Sequence, residues 1–87
     1  MASYYTVYVR HELFAILQSL PRARRARVAA LIDSLGENPF RPADYREYDS
    51  LRRPCSVRII GKHALYFRVD DAAKEVRVLD LVDADTV

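Results

Sequence analysis

Ser56-Val57-Arg58-Ile59-Ile60, Gly61-Lys62-His63 and Ala64-Leu65-Tyr66-Phe67-Arg68-Val69 follow one another in the segment that settles the fold class. Asp70-Asp71-Ala72-Ala73-Lys74 then turns the chain into Glu75-Val76-Arg77-Val78-Leu79-Asp80-Leu81-Val82. β-Branched and aromatic residues fill each run, and a glycine or paired aspartates mark each break. The pattern predicts three consecutive strands in a meander. On the middle strand, strict alternation sends Leu65, Phe67 and Val69 to one face and Ala64, Tyr66 and Arg68 to the other. On the last strand it groups Val76 and Val78 with Asp80, and sets Arg77, Leu79 and Leu81 opposite. The first face suits a cover of helices. The reading brings Arg58, Tyr66, Arg68 and Arg77 together on the uncovered side, with Lys62 and His63 on the turn beside them.

Upstream, Tyr4 to Val9 has the composition of a strand, with Tyr5, Val7 and Val9 on one face and Tyr4, Thr6 and Tyr8 on the other. His11 to Leu20 predicts a short helix that buries Leu13, Phe14, Leu17 and Leu20. Pro21 stops it and starts a second helix to Leu35, whose Val28, Leu31, Ile32 and Leu35 form one apolar stripe. Gly36 is expected just past its end, in the left-handed conformation of a C-cap. Asp44 to Asp49 reads as a polar connector anchored by Tyr45 and Tyr48, and Asp83 to Val87 as an acidic tail. The economical arrangement is one α+β domain over 1–87, in the order β-α-α-β-β-β. Two antiparallel helices then cover one face of a small antiparallel sheet.

The chain has 87 residues, 51% of them apolar, and a net charge of +2. No run of about 18 apolar residues is present, which excludes a membrane-spanning helix, and the first residues lack the pattern of a secretory signal. Cys55 is the single cysteine, so no internal disulfide forms, and the expected location is the cytoplasm. Charge is uneven: residues 1–69 carry a net +6 and residues 70–87 a net −4. All but one of the basic residues in the first stretch are arginine, whose planar fork suits phosphate or carboxylate. Arg22, Arg24, Arg25 and Arg27 crowd the first turns of the second helix, against the helix dipole, which points to an anionic partner.

Arginine with tyrosine on a sheet surface suits nucleic acid, the guanidinium taking phosphate and the ring stacking on a base. Candidate RNA contacts are Lys62, Tyr66, Arg52, Arg53, Arg24 and Arg25. Cleavage by an RNA 2′-hydroxyl needs proton transfer and charge stabilisation at phosphate. His63 has a suitable ordinary pKa, and Arg58 and Arg68 supply the positive charge, so these three are the candidate catalytic residues. One cysteine and two histidines provide no metal set, two isolated glycines make no phosphate loop, and no cofactor is expected.

The strand, the helix, the proline-started helix, Leu35-x-x-Asn38-Pro39, Gly61 and the hairpin Tyr66-Phe67-Arg68-Val69-Asp70-Asp71…Val76-Arg77-Val78-Leu79 together resemble the RelE/ParE superfamily of bacterial type II toxins. The likeness covers about residues 4–82. It implies a toxin held inactive by a cognate antitoxin protein. RelE-like members are metal-independent ribonucleases that cut mRNA on the ribosome, whereas ParE-like members inhibit DNA gyrase. Two nuclease positions depart from the family pattern. Ala64 stands near the place of an arginine early in the middle strand. Val82-Asp83-Ala84-Asp85-Thr86-Val87 stands where a basic pair and a tyrosine are usual. Arg58 matches a basic strand position of the family, and Lys62, His63, Tyr66 and Arg68 are neighbouring substitutes. A ribosome-dependent mRNA interferase or translation inhibitor, a gyrase inhibitor and a non-catalytic binding module of the same fold all remain open.

Overall fold

The computed structural model describes residues 5–39, 45–48 and 51–83. In chain order it has β1 (Thr6–Val9), α1 (Leu13–Ser19), α2 (Arg22–Glu37), β2 (Tyr45–Tyr48), β3 (Pro54–Ile60), β4 (His63–Asp70) and β5 (Glu75–Asp83). The five strands form one sheet in the order β1-β5-β4-β3-β2, and both helices pack on one of its faces. The α+β class and the three-strand meander agree with the sequence reading. Two features of the sheet depart from it. β1 pairs with β5 in parallel, with Val7 beside Val76 and Val9 beside Val78, so the sheet is mixed rather than antiparallel. A further strand, β2, lies antiparallel to β3 in the stretch read as a connector. Its sequence, Tyr-Arg-Glu-Tyr, is polar, as befits a strand that pairs on one side only. Tyr48, expected as an anchor, is 75% exposed, and the side chain of Tyr45 is outside the described residues.

Leu13, Leu20, Val28, Leu35, Leu65, Phe67, Val76, Val78 and Leu81 make the core, with Tyr5, Val7, Val9, Leu31 and Ile32 packed against it. The stripe on α2 is therefore where its spacing places it. α1 is shorter than read. It turns Leu13 inward and leaves Phe14 53% exposed, contrary to expectation. Pro21 ends one helix and starts the next, its carbonyl accepting from the Arg25 amide at 2.9 Å.

Gly36 is not a left-handed cap. It lies within α2 and is buried, and the helix ends at Asn38 instead. Its role is close approach. A Cβ there would meet the Tyr5 carbonyl oxygen at 3.2 Å and a Val7 methyl at 3.3 Å. The Tyr5 amide donates to the Gly36 carbonyl at 2.8 Å, which pins the end of α2 to the start of β1. Gly61 behaves as read, with φ of 56° at the first position of the two-residue β3–β4 turn.

The phase of β5 is the main correction to the sheet faces. Tyr66 pairs with Asp80 but Phe67 pairs with Val78, so Leu79 is an extra residue in a β-bulge. Beyond it the alternation is reversed. Leu81 joins Val76 and Val78 in the core, and Asp80 turns outward, where its carboxylate accepts from the Leu81 amide at 2.8 Å.

A polar clasp ties the start of β1 to the β4–β5 turn. The Tyr5 hydroxyl donates to Asp71, Lys74 Nζ donates to the same carboxylate oxygen at 3.1 Å, and Nζ sits 5.1 Å from the Tyr5 ring centroid. The hydrogen bond from Tyr5, helped by Lys74, holds the Asp71 carboxyl below the usual carboxylate range. The bond to Asp71 raises both Tyr5 and Lys74 above their ordinary values. A lowered acid contributes stability above its unfolded pKa and loses it as pH falls. The two raised groups contribute below theirs and lose it as pH rises.

Phe67→Ala is expected to cost about 3–5 kcal/mol in denaturant unfolding, and Phe14→Ala within about 0.5 kcal/mol of zero. Asp71→Asn should be less stable than the parent between about pH 4 and pH 10. The difference should vanish below that range as the parent's Asp71 protonates, and shrink above it as Tyr5 and Lys74 lose their protons. Thermal unfolding across pH measures both effects.

Candidate nucleic-acid interface

Residues paired directly across an antiparallel ladder project to the same side of the sheet. Arg68 lies opposite Arg77, and Tyr66 lies opposite Asp80 and Val57. All are on the face turned away from the helices, where Val57 is itself fully buried. In the parallel pairing Tyr8 stands beside Arg77, and its ring lies 5.5 Å from the Arg77 guanidinium carbon. Arg10 follows β1 directly, and Arg53 precedes β3. Tyr8, Arg10, Arg53, Arg68, Asp70 and Arg77 together line a cleft of about 540 Å³ across β1, β5 and β4. A second cleft of about 400 Å³ shares Arg10 and Arg53 and extends to Tyr66 and Tyr48. The two form one groove over the open face.

Four guanidiniums and one carboxylate line the first cleft, Arg10 pairs with Glu12 at 3.8 Å, and the second cleft adds the carboxylates of Glu47 and Asp80. Arg77 is paired with Glu75 at 3.0 Å, and Arg68 Nε donates to the Pro54 carbonyl at 3.4 Å. These contacts hold two like charges directly across a ladder, an arrangement that costs a few tenths of a kcal/mol to about 1 kcal/mol without an intervening anion. The Tyr8 hydroxyl has no hydrogen-bond partner among the described residues, and Tyr8 is 48% exposed. The groove offers fixed positive charge, planar donors and an open aromatic ring. Among the described residues no three His, Cys, Asp or Glu side chains stand together as metal ligands would.

The proposed catalytic trio does not assemble. Arg58 pairs with Leu65, which places it on the helix side of the sheet. His63 is the first residue of β4 rather than a turn residue. It is 7% exposed, pairs with Ile60 and Asp83 on that same side, and its Nδ1 has no hydrogen-bond partner among the described residues. Only Arg68 of the three reaches the groove. Among the candidate RNA contacts, Arg53 and Tyr66 line it, whereas Arg52 is an exposed turn residue with φ of 59° beside Tyr48. Lys62 is exposed on the β3–β4 turn, away from the cleft lining. Arg24 and Arg25 are on α2, in the helix layer, where Arg25 donates to Gln18 at 3.4 Å. Cys55 is buried, its thiol 3.5 Å from the Glu47 carbonyl.

Tyr8 and Arg10 are the groove residues that the sequence reading missed. Alternation had placed Tyr8 on the face opposite Val7 and Val9. Nothing local says that β1 lies beside β5, and that pairing alone brings Tyr8 to Arg77.

No protein-family model matches this chain, and no curated protein matches it by sequence. Solved structures do match. The archaeal RelE–RelB complex from Pyrococcus horikoshii aligns over 100% of both chains with a TM-score of 0.80 and 21% identity. The toxin–antitoxin complex RelBE2 from Mycobacterium tuberculosis aligns over 92% of this chain and 98% of that one, with a TM-score of 0.71 and 23% identity. A mutant of the E. coli toxin RelE in its free state aligns over 95% of this chain and 86% of that one, with a TM-score of 0.70 and 14% identity. The chain has the RelE-like fold.

An anion in the groove should relieve the Arg68–Arg77 repulsion. Inorganic phosphate or pyrophosphate at constant ionic strength is expected to raise the parent's melting temperature above that in chloride. Arg68→Gln should lose most of the phosphate effect. Differential scanning calorimetry decides; equal phosphate shifts in the two proteins would sink the assignment.

Proposed function

We propose that this chain is the toxin of a toxin–antitoxin pair, acts in the cytoplasm, and inhibits translation by binding mRNA at the ribosome through the arginine-lined groove. The single observation that carries this reading is the grouping of Arg10, Arg53, Arg68 and Arg77 with Tyr8 on the one face that the helices leave bare. The RelE-like fold supports it, because two of the matching structures are complexes with an antitoxin. The arginines of the first cleft also suit pairing with acidic side chains of a cognate antitoxin.

If the bound RNA is cut, the groove supplies the electrostatic part of the work. Attack by a 2′-hydroxyl on the adjacent phosphate builds negative charge on the equatorial oxygens, and Arg68 and Arg77 are placed to stabilise it. Asp70 then takes the 2′-hydroxyl proton and Tyr8 gives one to the departing 5′-oxygen, leaving a 2′,3′-cyclic phosphate on the upstream fragment; both side chains line the first cleft. The burial of His63 on the far side of the sheet favours a second reading, in which the chain binds without cutting. DNA gyrase is then the alternative target.

Induced expression in a bacterium, with growth, global translation and message integrity followed together, separates these outcomes. The proposal expects translation arrest that Arg68→Gln and Arg77→Gln each weaken by an order of magnitude or more, while Arg58→Gln leaves it largely intact. It also expects rescue by an adjacent small gene whose product copurifies with this chain. Cut codons would mark a nuclease, and intact messages with arrested translation a pure binder. Filamentation with DNA damage and continuing translation would shift the target to gyrase. Normal growth would overturn the toxin reading.

A further inference from the structure

We propose that β1 is the seam of a homodimer, in which the outer edges of two copies pair antiparallel across a two-fold axis at Tyr8 and join two sheets into one. The seam draws only on the edge of the sheet and stands whether or not the chain is a toxin. The Thr6 amide donates to the Lys74 carbonyl at 2.9 Å, and the Arg10 amide to the Val78 carbonyl at 3.3 Å. With the parallel register of β1 on β5, these bonds direct the backbone groups of Thr6, Tyr8 and Arg10 toward β5. The amides and carbonyls of Val7 and Val9 then point off the sheet, with no hydrogen-bond partner among the described residues. Such edges are normally guarded by charge, proline or a bulge. The opposite edge, β2, carries Arg46 and Glu47. β1 reads Thr-Val-Tyr-Val, with no charge, no proline and high strand propensity. Val7 and Val9 are only half-buried, so the helices leave part of this edge open.

The edge is self-complementary. In an antiparallel pair about Tyr8, Val7 of one copy faces Val9 of the other, and each pair exchanges both of its amide–carbonyl bonds. Tyr8 then faces Tyr8 as a non-hydrogen-bonded pair, the closer kind, where two rings pack well. On the other face the valines carry the apolar layer from one copy to the next. At each end of the seam, Arg10 of one copy faces Thr6 of the other, and Glu75 stands beside that threonine. Two strand spacings, about 10 Å, lie within the combined reach of an arginine and a glutamate across so small a residue. Arg10 gives up only an exposed contact with Glu12 at 3.8 Å. Glu75, which holds Arg77 at 3.0 Å, has acceptor capacity for a second donor. A foreign strand satisfies the backbone equally but does not supply this twofold match of charge. Tyr8 and Arg10 also line the first cleft, so pairing runs the clefts of two copies together across the seam. Two strands of 4 residues bury less than the roughly 1,200 Å² of a stable interface, so the dimer is weak and concentration-dependent.

The test is sedimentation velocity of the full chain across a roughly hundredfold range of concentration. The parent should pass from monomer to dimer. Val9→Pro removes an outward amide without touching the ladder to β5 and should stay monomeric throughout. Arg10→Glu and Glu75→Arg should each weaken the dimer roughly three- to thirtyfold, and the double variant should bring most of it back. Circular dichroism and melting temperature confirm that each variant is folded. Cysteine cross-linking reads the register independently, even if Val9→Pro fails to fold. The two positions 8 come within about 4.5 Å between Cα atoms, inside the range of a disulfide, so Tyr8→Cys should form a covalent dimer on mild oxidation. The two positions 6 lie about 14 Å apart, so Thr6→Cys should not. A parent that is monomeric at every concentration would overturn the seam. So would a dimer that survives Val9→Pro, or one in which Thr6→Cys cross-links as readily as Tyr8→Cys. A monomeric parent whose Val7 and Val9 amides gain protection from hydrogen exchange only with an antitoxin bound would give the edge to that protein and overturn the homodimer.

Discussion

The parallel pairing of β1 with β5 fixes both faces of this protein at once. On the helix side it brings Val7 and Val9 beside Val76 and Val78, under α1 and α2. It also brings the end of α2 so close to β1 that a side chain at position 36 would crowd the Tyr5 carbonyl and Val7, and there the helix carbonyl accepts from the strand. On the other side it brings Tyr8 to Arg77. A parallel pair cannot be closed by a tight turn, and the α1–α2 hairpin with the rest of the chain is the long connection it needs. The core and the groove are therefore two results of the same strand placement, and the clasp of Tyr5, Asp71 and Lys74 secures its end.

The β-bulge at Leu79 serves the same division of labour from the other end of β5. Without it, Leu81 would face the groove and Asp80 the core. With it, the apolar residue is buried and the carboxylate stands across from Tyr66 on the open face. Arg68 and Arg77 lie on the other side of that irregularity, in register with each other. The result is a surface whose charge is concentrated rather than dispersed. Such concentration is unfavourable for folding and favourable for holding an anion, the kind of local conflict that marks functional surfaces. The RelE-like architecture provides the frame, and Tyr8, Arg10, Arg53, Arg68 and Arg77 are the side chains it gathers around the first cleft.

Much of the fold was legible in the residues. Gly61 and the Asp70–Lys74 turn punctuated β3, β4 and β5, and the α2 stripe from Val28 to Leu35 was visible because helical spacing is a local property. The candidate site was legible only in part. Arg68, Tyr66 and Arg53 fell where alternation and composition placed them. Arg58 did not, because its side depends on whether it pairs with Leu65 or with a neighbour of Leu65. A shift of one residue in register sends a side chain to the opposite face. His63 was misplaced for a different reason: β4 begins one residue earlier than read, and the unchanged alternation then sets His63 on the face of Leu65 and Phe67.

By itself, then, the sequence determined the type of every element but β2, the turns, and that Leu65, Phe67 and Val69 of the central strand face the helices, because these follow from spacing along the chain and from the backbone needs of glycine and proline. Only the tertiary structure decided that β2 is a strand, that Gly36 is a contact rather than a cap, that Leu81 is core, and that Tyr8 and Arg10 belong to the groove. Each of these depends on which distant segment lies alongside, and that is chosen by the whole set of buried contacts rather than by any window of residues.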